Sequence, residues 1–273
     1  MTQTQSLLAG TLAALLMAVI TSCTNMPAAP TLTAAAKAEL ASTGALRVAV
    51  FTGNPVIGAK DKATGLLTGT TVELGRALSK QAGVPVTFVE YTAVAKMVQD
   101  AKTNAWDIAV VAFDPARLGV LDFAPPHITV DLTYLVAPGS TIRNVGDVDQ
   151  PGVKIAAARG AATALYLERT LKQAAVVPAD NEPAAFNLIK DGKAQVYAQN
   201  RTMLIGLAAG LPGARVLDDR FSAAEMCIVL PKGRPAALEY LAAFVVHAKK
   251  SGAVSRAIEA SGLRGVAVAQ ATQ

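Results

Sequence analysis

Residues 106–117 have the sequence WDIAVVAFDPAR, and this stretch is the most informative about the fold. The apolar run at 106–112 predicts a strand buried on both faces, as in sheets that carry helices on either side. Asp114 is a favoured helix N-cap residue and Pro115 suits the first helical position, so a helical turn should follow the strand. The segment therefore predicts an α/β fold with Arg117 in the first turn after a strand.

Segments of the same two kinds alternate on both sides of this stretch. Short runs rich in β-branched residues predict strands, and amphipathic stretches between them predict helices, which indicates mostly parallel sheets. Further predicted strands are 46–51, 86–90, 128–136, 153–157, 194–198, 215–217 and 228–230, and predicted helices are 71–81, 93–102, 161–172, 183–190 and 235–250.

The alternating strands and helices form two successive groups along the chain, and the last part of the chain resembles the first group in its pattern. We therefore predict two lobes joined by two crossings, so that the first lobe is discontinuous in sequence. The expected boundaries are a signal peptide at 1–22, a linker or short helix at 23–43, lobe 1 at 44–127 plus 227–266, lobe 2 at 132–221, and hinge crossings at 128–131 and 222–226.

Composition excludes several classes of protein. The chain is 52% hydrophobic and 16% charged, which is typical of a folded protein with sizeable cores. Its formal charge of +5 comes from scattered Lys and Arg residues, so we expect no nucleic-acid partner. With two histidines and two cysteines that form no ligand-like cluster, we expect neither a metal site nor a cofactor.

The N-terminal region predicts export. Residues 1–36 contain no charged side chain, and the largely apolar run 7–20 is too short to cross a bilayer but suits a secretory leader. Ile20-Thr21-Ser22-Cys23 resembles the lipobox of bacterial lipoproteins, in which the cysteine is acylated. We expect a lipid anchor on Cys23 as the only membrane attachment; a secreted protein without lipid and an uncleaved anchor are the alternatives.

Arg117 is the first candidate for a functional side chain. A cation in the first turn of a helix opposes the helix dipole, so its presence there suggests a partner anion. The planar guanidinium matches a carboxylate in shape. The structural alternative is that Arg117 folds back onto Asp114 or Asp122.

A second candidate is the predicted strand-to-helix turn at 158–163, whose backbone N–H groups could receive an anion. Gly160 could instead serve only the tight turn. Glu73, on the first predicted helix after Gly69, could face a cleft, although capping a helix start is the interpretation we favour.

The region from about 45 to 263 resembles the bacterial extracellular solute-binding proteins of family 3, the receptors of polar amino-acid ABC transporters. The resemblance rests on the order and spacing of 44–50, 64–74, 106–110, 114–117, 121–127, 152–155, 159–162 and 229–233. It implies the type II periplasmic binding protein fold, in which two lobes close on a small solute. It also implies that Arg117 and the N–H groups of 160–162 hold a ligand carboxylate. The resemblance further implies a monomeric receptor, located in the periplasm or at the outer face of the membrane, that serves an inner-membrane ABC permease.

Several positions depart from the family pattern. Ala112, Ala161 and Ala162 stand where the family commonly has hydroxyl side chains, Asn200 stands where an aspartate usually binds the α-amino group, and 53–58 lacks a clear counterpart of the family aromatic residue. Losing a buried counter-ion weakens ammonium binding by about 2–5 kcal/mol. Our hypothesis is therefore a solute that carries a carboxylate and need not be an α-amino acid.

We therefore predict that the chain is a substrate-binding protein and not an enzyme. The alternatives are a periplasmic enzyme of the same fold, similar to dehydratases, with His127, Glu73 or Glu225 as a base, and a lipoprotein that senses a ligand for a receptor. The predicted ligand-binding residues are Asn54, Thr70, Glu73, Ala112, Arg117, Gly160, Ala161, Ala162, Thr163 and Asn200.

Overall fold

The computed structural model describes residues 29–54, 56–261 and 263–270. The predicted signal peptide at 1–22 and the predicted lipidation site at Cys23 lie outside the described residues. None of the described helices is both long enough and apolar enough to span a membrane.

The described chain alternates strands and helices. The strands are β1 Leu46–Phe51, β2 Ala59–Lys60, β3 Leu67–Thr68, β4 Val86–Tyr91, β5 Ile108–Ala112, β6 Leu121–Val136, β7 Lys154–Ala158, β8 Ala175–Ala179, β9 Val196–Asn200, β10 Arg215–Val216, β11 Ser222–Pro231 and β12 Val266–Val268. The helices are α1 Ala34–Leu40, α2 Thr70–Ala82, α3 Val94–Asp100, α4 Ala162–Thr170, α5 Glu182–Lys190, α6 Arg201–Ala208, α7 Pro235–Lys250 and α8 Ala253–Ser261.

One large sheet runs through the molecule in the order β4-β1-β5-β11-β6-β9-β7-β8. Strands β4, β1 and β5 pair in parallel at one end of the sheet, and β9, β7 and β8 pair in parallel at the other. Between them, β11 and β6 are antiparallel to each other. The α/β fold class predicted from the sequence is therefore confirmed.

Strands β6 and β11 connect the two halves of this sheet. β6 pairs with β11 from Leu121 to Leu132, and then with β9 from Leu132 to Val136. β11 pairs with β5 through Met226–Val229, and its register with β6 shifts at Met226/Cys227 and again at Cys227/Val229. The predicted crossings at 128–131 and 222–226 fall within these two strands; the lobe boundaries themselves stay a prediction.

Each half of the sheet has apolar side chains buried on both faces. Every residue of β5 is buried, as expected for a strand covered on both sides. Trp106, just before β5, is fully buried, and its Nε1 donates to the Met97 carbonyl at 3.0 Å. In the second half, β9 is buried throughout and contributes Tyr197 to the core packed under α5 and α6.

A buried ion-pair network fixes the start of β5. Asp107 is inaccessible to solvent and accepts hydrogen bonds from Arg47 at 2.8–3.0 Å and from Arg234 Nη1 at 2.8 Å. Because two cations and a backbone amide share its carboxylate, the desolvation of Asp107 is well compensated. This network ties the beginnings of β1, β5 and α7 together, and thereby positions the turn at the other end of β5.

The structure adds elements that the sequence analysis did not predict. Helix α1 lies in the stretch expected to be a linker or short helix, and it buries Ala36 and Leu40 in the core that includes α7. The elements without a counterpart in the sequence predictions are strands β2, β3, β8 and β12 and helices α6 and α8. β12 pairs with β6 through Val266–Val268, so the end of the chain is attached to a strand that connects both halves.

Candidate ligand-binding site

Arg117 lies at the end of a single 3-10 turn, Pro115–Arg117, that follows β5. Asp114 caps this turn by accepting a hydrogen bond from the Ala116 N–H at 2.9 Å, as its sequence position predicted. The helix-dipole argument made from the sequence is wrong, however, because a turn of three residues is too short to have an appreciable dipole. What distinguishes Arg117 is its burial: the side chain is only 4% exposed.

The Arg117 guanidinium contacts carbonyl oxygens from both halves of the chain. Nη1 donates to the Ala112 carbonyl at 2.6 Å, and Nη2 donates to the Gly160 carbonyl at 2.9 Å. Burial lowers the pKa of Arg117 to about 10, an effect that nearby Asp114 partly opposes. The side chain therefore stays charged at neutral pH. Among the described residues, no carboxylate lies within 4.0 Å of its guanidinium nitrogens.

The structural alternative, in which Arg117 folds back onto Asp114 or Asp122, is not observed among the described contacts. Asp114 is occupied by Arg169 of α4, whose Nη2 and Nη1 donate to its two carboxylate oxygens at 2.8 and 3.2 Å. Asp122 is paired with Lys232 at 3.1 Å. Both acids that could have neutralised Arg117 thus have other partners.

The predicted strand-to-helix turn faces Arg117 from the other half of the sheet. Gly160 has φ +71°, a conformation that favours glycine, and a Cβ there would make a tight contact of 3.0 Å with the Ala95 side chain. Ala161 is the N-cap of α4 and offers no side-chain acceptor. The first amides of α4 consequently point out of the helix without a side-chain cap.

Thr163, in the first turn of α4, provides a further polar group without a partner. Thr163 is 1% exposed, and its Oγ1 has no hydrogen-bond partner within the part of the chain that the structure describes. An unsatisfied buried hydroxyl costs about 1–3 kcal/mol. A bound solute that accepts or donates a hydrogen bond at this oxygen would remove that cost.

These groups meet in a cavity of about 60 Å³ between the two halves of the sheet. Of the predicted ligand-binding residues, the cavity is lined by Asn54, Ala112, Arg117, Ala161, Ala162, Thr163 and Asn200. Gly160 contributes through its carbonyl contact with Arg117. Two separate sequence predictions, the Arg117 turn and the α4 turn, are thus brought together in one place.

Thr70 and Glu73 do not line this cavity. The Thr70 hydroxyl donates to the Val56 carbonyl at 2.9 Å, and Glu73 pairs with Arg76 on the surface of α2 at 2.6 Å. Both line a separate, largely apolar cavity of about 570 Å³ between α2, α7 and α8. Glu73 lies in the first turn of α2, but no described side chain caps this helix, so the capping interpretation favoured from the sequence is wrong and Glu73 instead forms a surface ion pair.

His127 also lines the apolar cavity rather than the site around Arg117. Burial lowers its pKa to about 4, and the positive charge of Lys249 acts in the same direction. Its Nδ1 is buried without a hydrogen-bond partner. Within residues 29–54, 56–261 and 263–270, no three His, Cys, Asp or Glu side chains cluster as metal ligands.

Asn200, predicted to stand where an acid would bind an ammonium group, is committed to the fold. Its Oδ1 accepts from the Met203 N–H at 2.9 Å and so caps α6, while its Nδ2 donates to Gln199 Oε1 at 3.1 Å. Both ends of the amide therefore have intramolecular partners.

Sequence reasoning missed several residues of the cavity. Phe51, the last residue of β1, supplies an aromatic wall, and Gln199, Ala224 and Met226 line the cavity where β9 and β11 end or begin. Their position at strand ends was available from the sequence, because ligands bind at the carboxyl edge of parallel strands. The most consequential omission is Glu182, at the start of α5, which is 3% exposed and lines the same cavity.

Two joined α/β halves with a buried cationic site between them are consistent with a receptor that encloses a small anionic solute. The family model for bacterial extracellular solute-binding proteins, family 3, matches residues 46–260, and the chain belongs to this family.

Individual relatives agree with this placement. A glutamine-binding protein of Geobacillus stearothermophilus is 23% identical over 171 residues, which span 61% of this chain and 65% of that protein. Among solved structures, an ancestral amino acid-binding protein, a precursor of cyclohexadienyl dehydratase, is 25% identical with a TM-score of 0.70, covering 82% of this chain and 97% of that one. A mutant of ArgBP from T. maritima has a TM-score of 0.71 at 21% identity, covering 82% and 98% of the two chains, and shows the shared fold.

Proposed function

We propose that the protein is the substrate-binding component of an ABC-type uptake system. In this role it holds a small carboxylate-bearing solute, an amino acid or a compound like one, between two closing lobes. The observation that carries the proposal is the buried Arg117, which forms no ion pair with any described residue and lines one cavity with Thr163 and the amino end of α4. A buried charge is stable only when it is paired or well hydrogen-bonded, which makes an anionic ligand group the natural partner.

The carboxylate binds to groups from both halves of the chain. Arg117 approaches from the turn after β5, and the Ala162 and Thr163 amides approach from the amino end of α4. An anion at this end of α4 is stabilised by the outward-pointing amides and by the helix dipole. Because the ligand contacts both halves, it favours the closed arrangement over any open one.

The proposed lobes follow the boundaries expected from the sequence, with lobe 1 at 44–127 plus 227–266 and lobe 2 at 132–221. Closure then bends β6 and β11 at 128–131 and 222–226. The register shifts of β11 at Met226/Cys227 and Cys227/Val229 lie at the end of the second crossing and directly after it, and they support a hinge at this edge, since bulged pairs are more easily bent than regular ones.

The proposed partners follow from family membership and from the leader. The receptor is exported, attached through a lipid on Cys23, and delivers its solute as a monomer to an ABC permease in the inner membrane. The family model and the relatives describe binding proteins, which supports a receptor rather than an enzyme.

A thermal-shift screen of the standard amino acids and of small organic acids tests the proposal, using the chain from residue 24 onward. A ligand that binds only the folded state raises Tm by mass action, so at least one carboxylate-bearing compound should raise it, and its uncharged amide should not. Arg117→Gln should abolish the shift. Arg76→Gln, at a surface arginine paired with Glu73, is the matched control and should retain it. A shift of equal size in Arg117→Gln would refute the proposal.

A further inference from the structure

Glu182 is a buried acid that the proposed carboxylate site does not use. It is the first residue of α5, its side chain is 3% exposed, and it lines the same cavity as Arg117. Its Oε2 accepts a hydrogen bond from the Tyr197 hydroxyl at 2.5 Å. A hydrogen bond from the Gln199 side chain also reaches the carboxylate.

Both partners of Glu182 are neutral. None of the ion pairs among the described residues includes Glu182 or Arg117, so neither lies within 4.0 Å of an oppositely charged group. A carboxylate has about four acceptor positions, and two hydrogen bonds leave part of that capacity unused. Burial raises the pKa of Glu182, and the two hydrogen bonds oppose the shift.

The cavity wall therefore contains a cation and a carboxyl group that have no ion-pair partner among the described residues, and a cationic nitrogen placed beside Glu182 would favour its ionised form. A ligand with only a carboxylate would leave Glu182 buried without a counter-charge. A ligand with both a carboxylate and a cationic nitrogen would compensate both residues and bring no net charge into the site. The alanines at 112, 161 and 162 leave the rest of this wall without charge, so the two ionisable side chains dominate recognition.

We infer that Glu182 is a specificity-determining residue, which binds a cationic nitrogen of the solute while Arg117 binds its carboxylate, so that the receptor selects zwitterionic solutes. This inference rests on the proposed function and specifies its substrate class. It also replaces our expectation that the substitution of an acid by Asn200 leaves ammonium groups without a counter-ion. The acid is present, but α5 supplies it.

The test compares zwitterions with analogues that lack one cationic nitrogen. Titration calorimetry would use L-glutamine and glutaramic acid, L-lysine and 6-aminohexanoic acid, and L-arginine and 5-guanidinopentanoic acid. The second member of each pair lacks the α-amino group. Comparing L-lysine with L-norleucine isolates a side-chain cation, and the two comparisons show which nitrogen reaches Glu182.

Glu182→Gln is the decisive variant, because it keeps the length of the side chain and an acceptor for Tyr197. For the best-bound zwitterion, we expect a loss of affinity of roughly 30- to 5,000-fold, which corresponds to removing one partner of a buried charged pair. The analogue without the cationic nitrogen should bind this variant at least as well as wild type. Tyr197→Phe, which removes the hydrogen-bond donor but keeps the carboxylate, should retain the preference for the zwitterion.

The outcomes separate the two proposals. If wild type binds a zwitterion, Arg117→Gln abolishes binding and Glu182→Gln binds as tightly as wild type, the role of Glu182 is refuted while the carboxylate site stands. If Tyr197→Phe reproduces the loss seen in Glu182→Gln, the effect of Glu182 is structural and the inference fails. If wild type binds no zwitterion on the panel, the inference falls; if it also binds no carboxylate in the thermal-shift screen, the proposed function falls with it.

Discussion

The ion pair between Asp114 and Arg169 should control how tightly the receptor binds without touching the solute. Asp114 belongs to the turn after β5, and Arg169 belongs to α4, so the pair joins the two proposed lobes. The Asp114 side chain is 3% exposed and the Arg169 side chain is 48% exposed. The pair therefore lies between a surface ion pair and a fully buried one.

The expected magnitude follows from this partial burial. Exposed pairs contribute about 0.2–1 kcal/mol, whereas breaking a buried pair costs about 3–5 kcal/mol. For a two-point contact to a buried carboxylate we take about 1.5–3 kcal/mol, the range for a hydrogen bond to a charged group. If the pair forms only when the lobes are closed, Arg169→Gln lowers the ratio of closed to open protein by about 10- to 150-fold, and the apparent Kd rises by up to the same factor.

Titration calorimetry of Arg169→Gln with a solute identified in the screen measures this effect. Small-angle scattering should show that the variant still reaches the wild-type compactness at saturating solute. Lys193→Gln, which breaks an exposed pair with Asp191 inside one proposed lobe, is the matched control and should bind as wild type does. In an Asp114→Asn background, Arg169→Gln should lose most of its effect, because the partner charge is gone. A Kd within twofold of wild type for Arg169→Gln would refute the reasoning.

Three further predictions concern buried polar groups. Thr163→Val should leave the Tm of the unliganded protein unchanged or higher, since Oγ1 has no partner to lose among the described residues. Calorimetry should show that this variant binds the solute about 2- to 10-fold more weakly, whereas Thr163→Ser should bind as wild type does. Glu182→Gln should raise Tm at pH 8 and approach the wild-type value near pH 4. The raised pKa of Glu182 destabilises the folded protein only at pH values at which the unfolded acid is ionised. The Tm difference between the variant and wild type should therefore shrink as the pH falls, and a difference that grows would contradict the prediction. His127 has a pKa of about 4 and stays neutral in the folded protein above that pH; the charged groups near it are Lys249 and Glu73. The unfolded residue, in contrast, takes up a proton below about pH 6.5. His127→Phe should therefore lose less Tm than wild type between pH 6.5 and pH 4, and an equal loss would contradict this.

Much of the fold could be predicted because it depends on local patterns. β1, β5 and α7 have continuous apolar runs or clear helical periodicity between turn residues, and they form at or within two residues of the predicted limits. Strand β8 was missed because Pro178 argues against a strand, although proline is tolerated at a sheet edge, where β8 lies. Helix α6 was missed because it follows β9 without an intervening turn, with Asn200 serving as the last residue of one element and the cap of the next.

The candidate site shows where prediction from sequence ends. The α4 turn could be identified because its free amides have a local explanation as an anion-binding group, whereas Arg117 was identified by its place after β5 and by the family resemblance, since the helix-dipole argument for it is wrong. Glu182 could not, since an acid in the first turn of a helix is ordinarily explained by the helix dipole. Its burial beside Tyr197 arises only when β9 packs under α5, a contact between residues 15 positions apart. The partner of Asp114 likewise comes from α4, 55 positions away, so the sequence could suggest the acid but not Arg169.

The most direct test of the central claim is a crystal structure of the protein with the solute that produces the largest thermal shift. We expect its carboxylate within about 3 Å of the Arg117 guanidinium and of the Ala162 and Thr163 amides. A solute bound with its carboxylate away from Arg117, or bound in the apolar cavity lined by His127, would contradict the account.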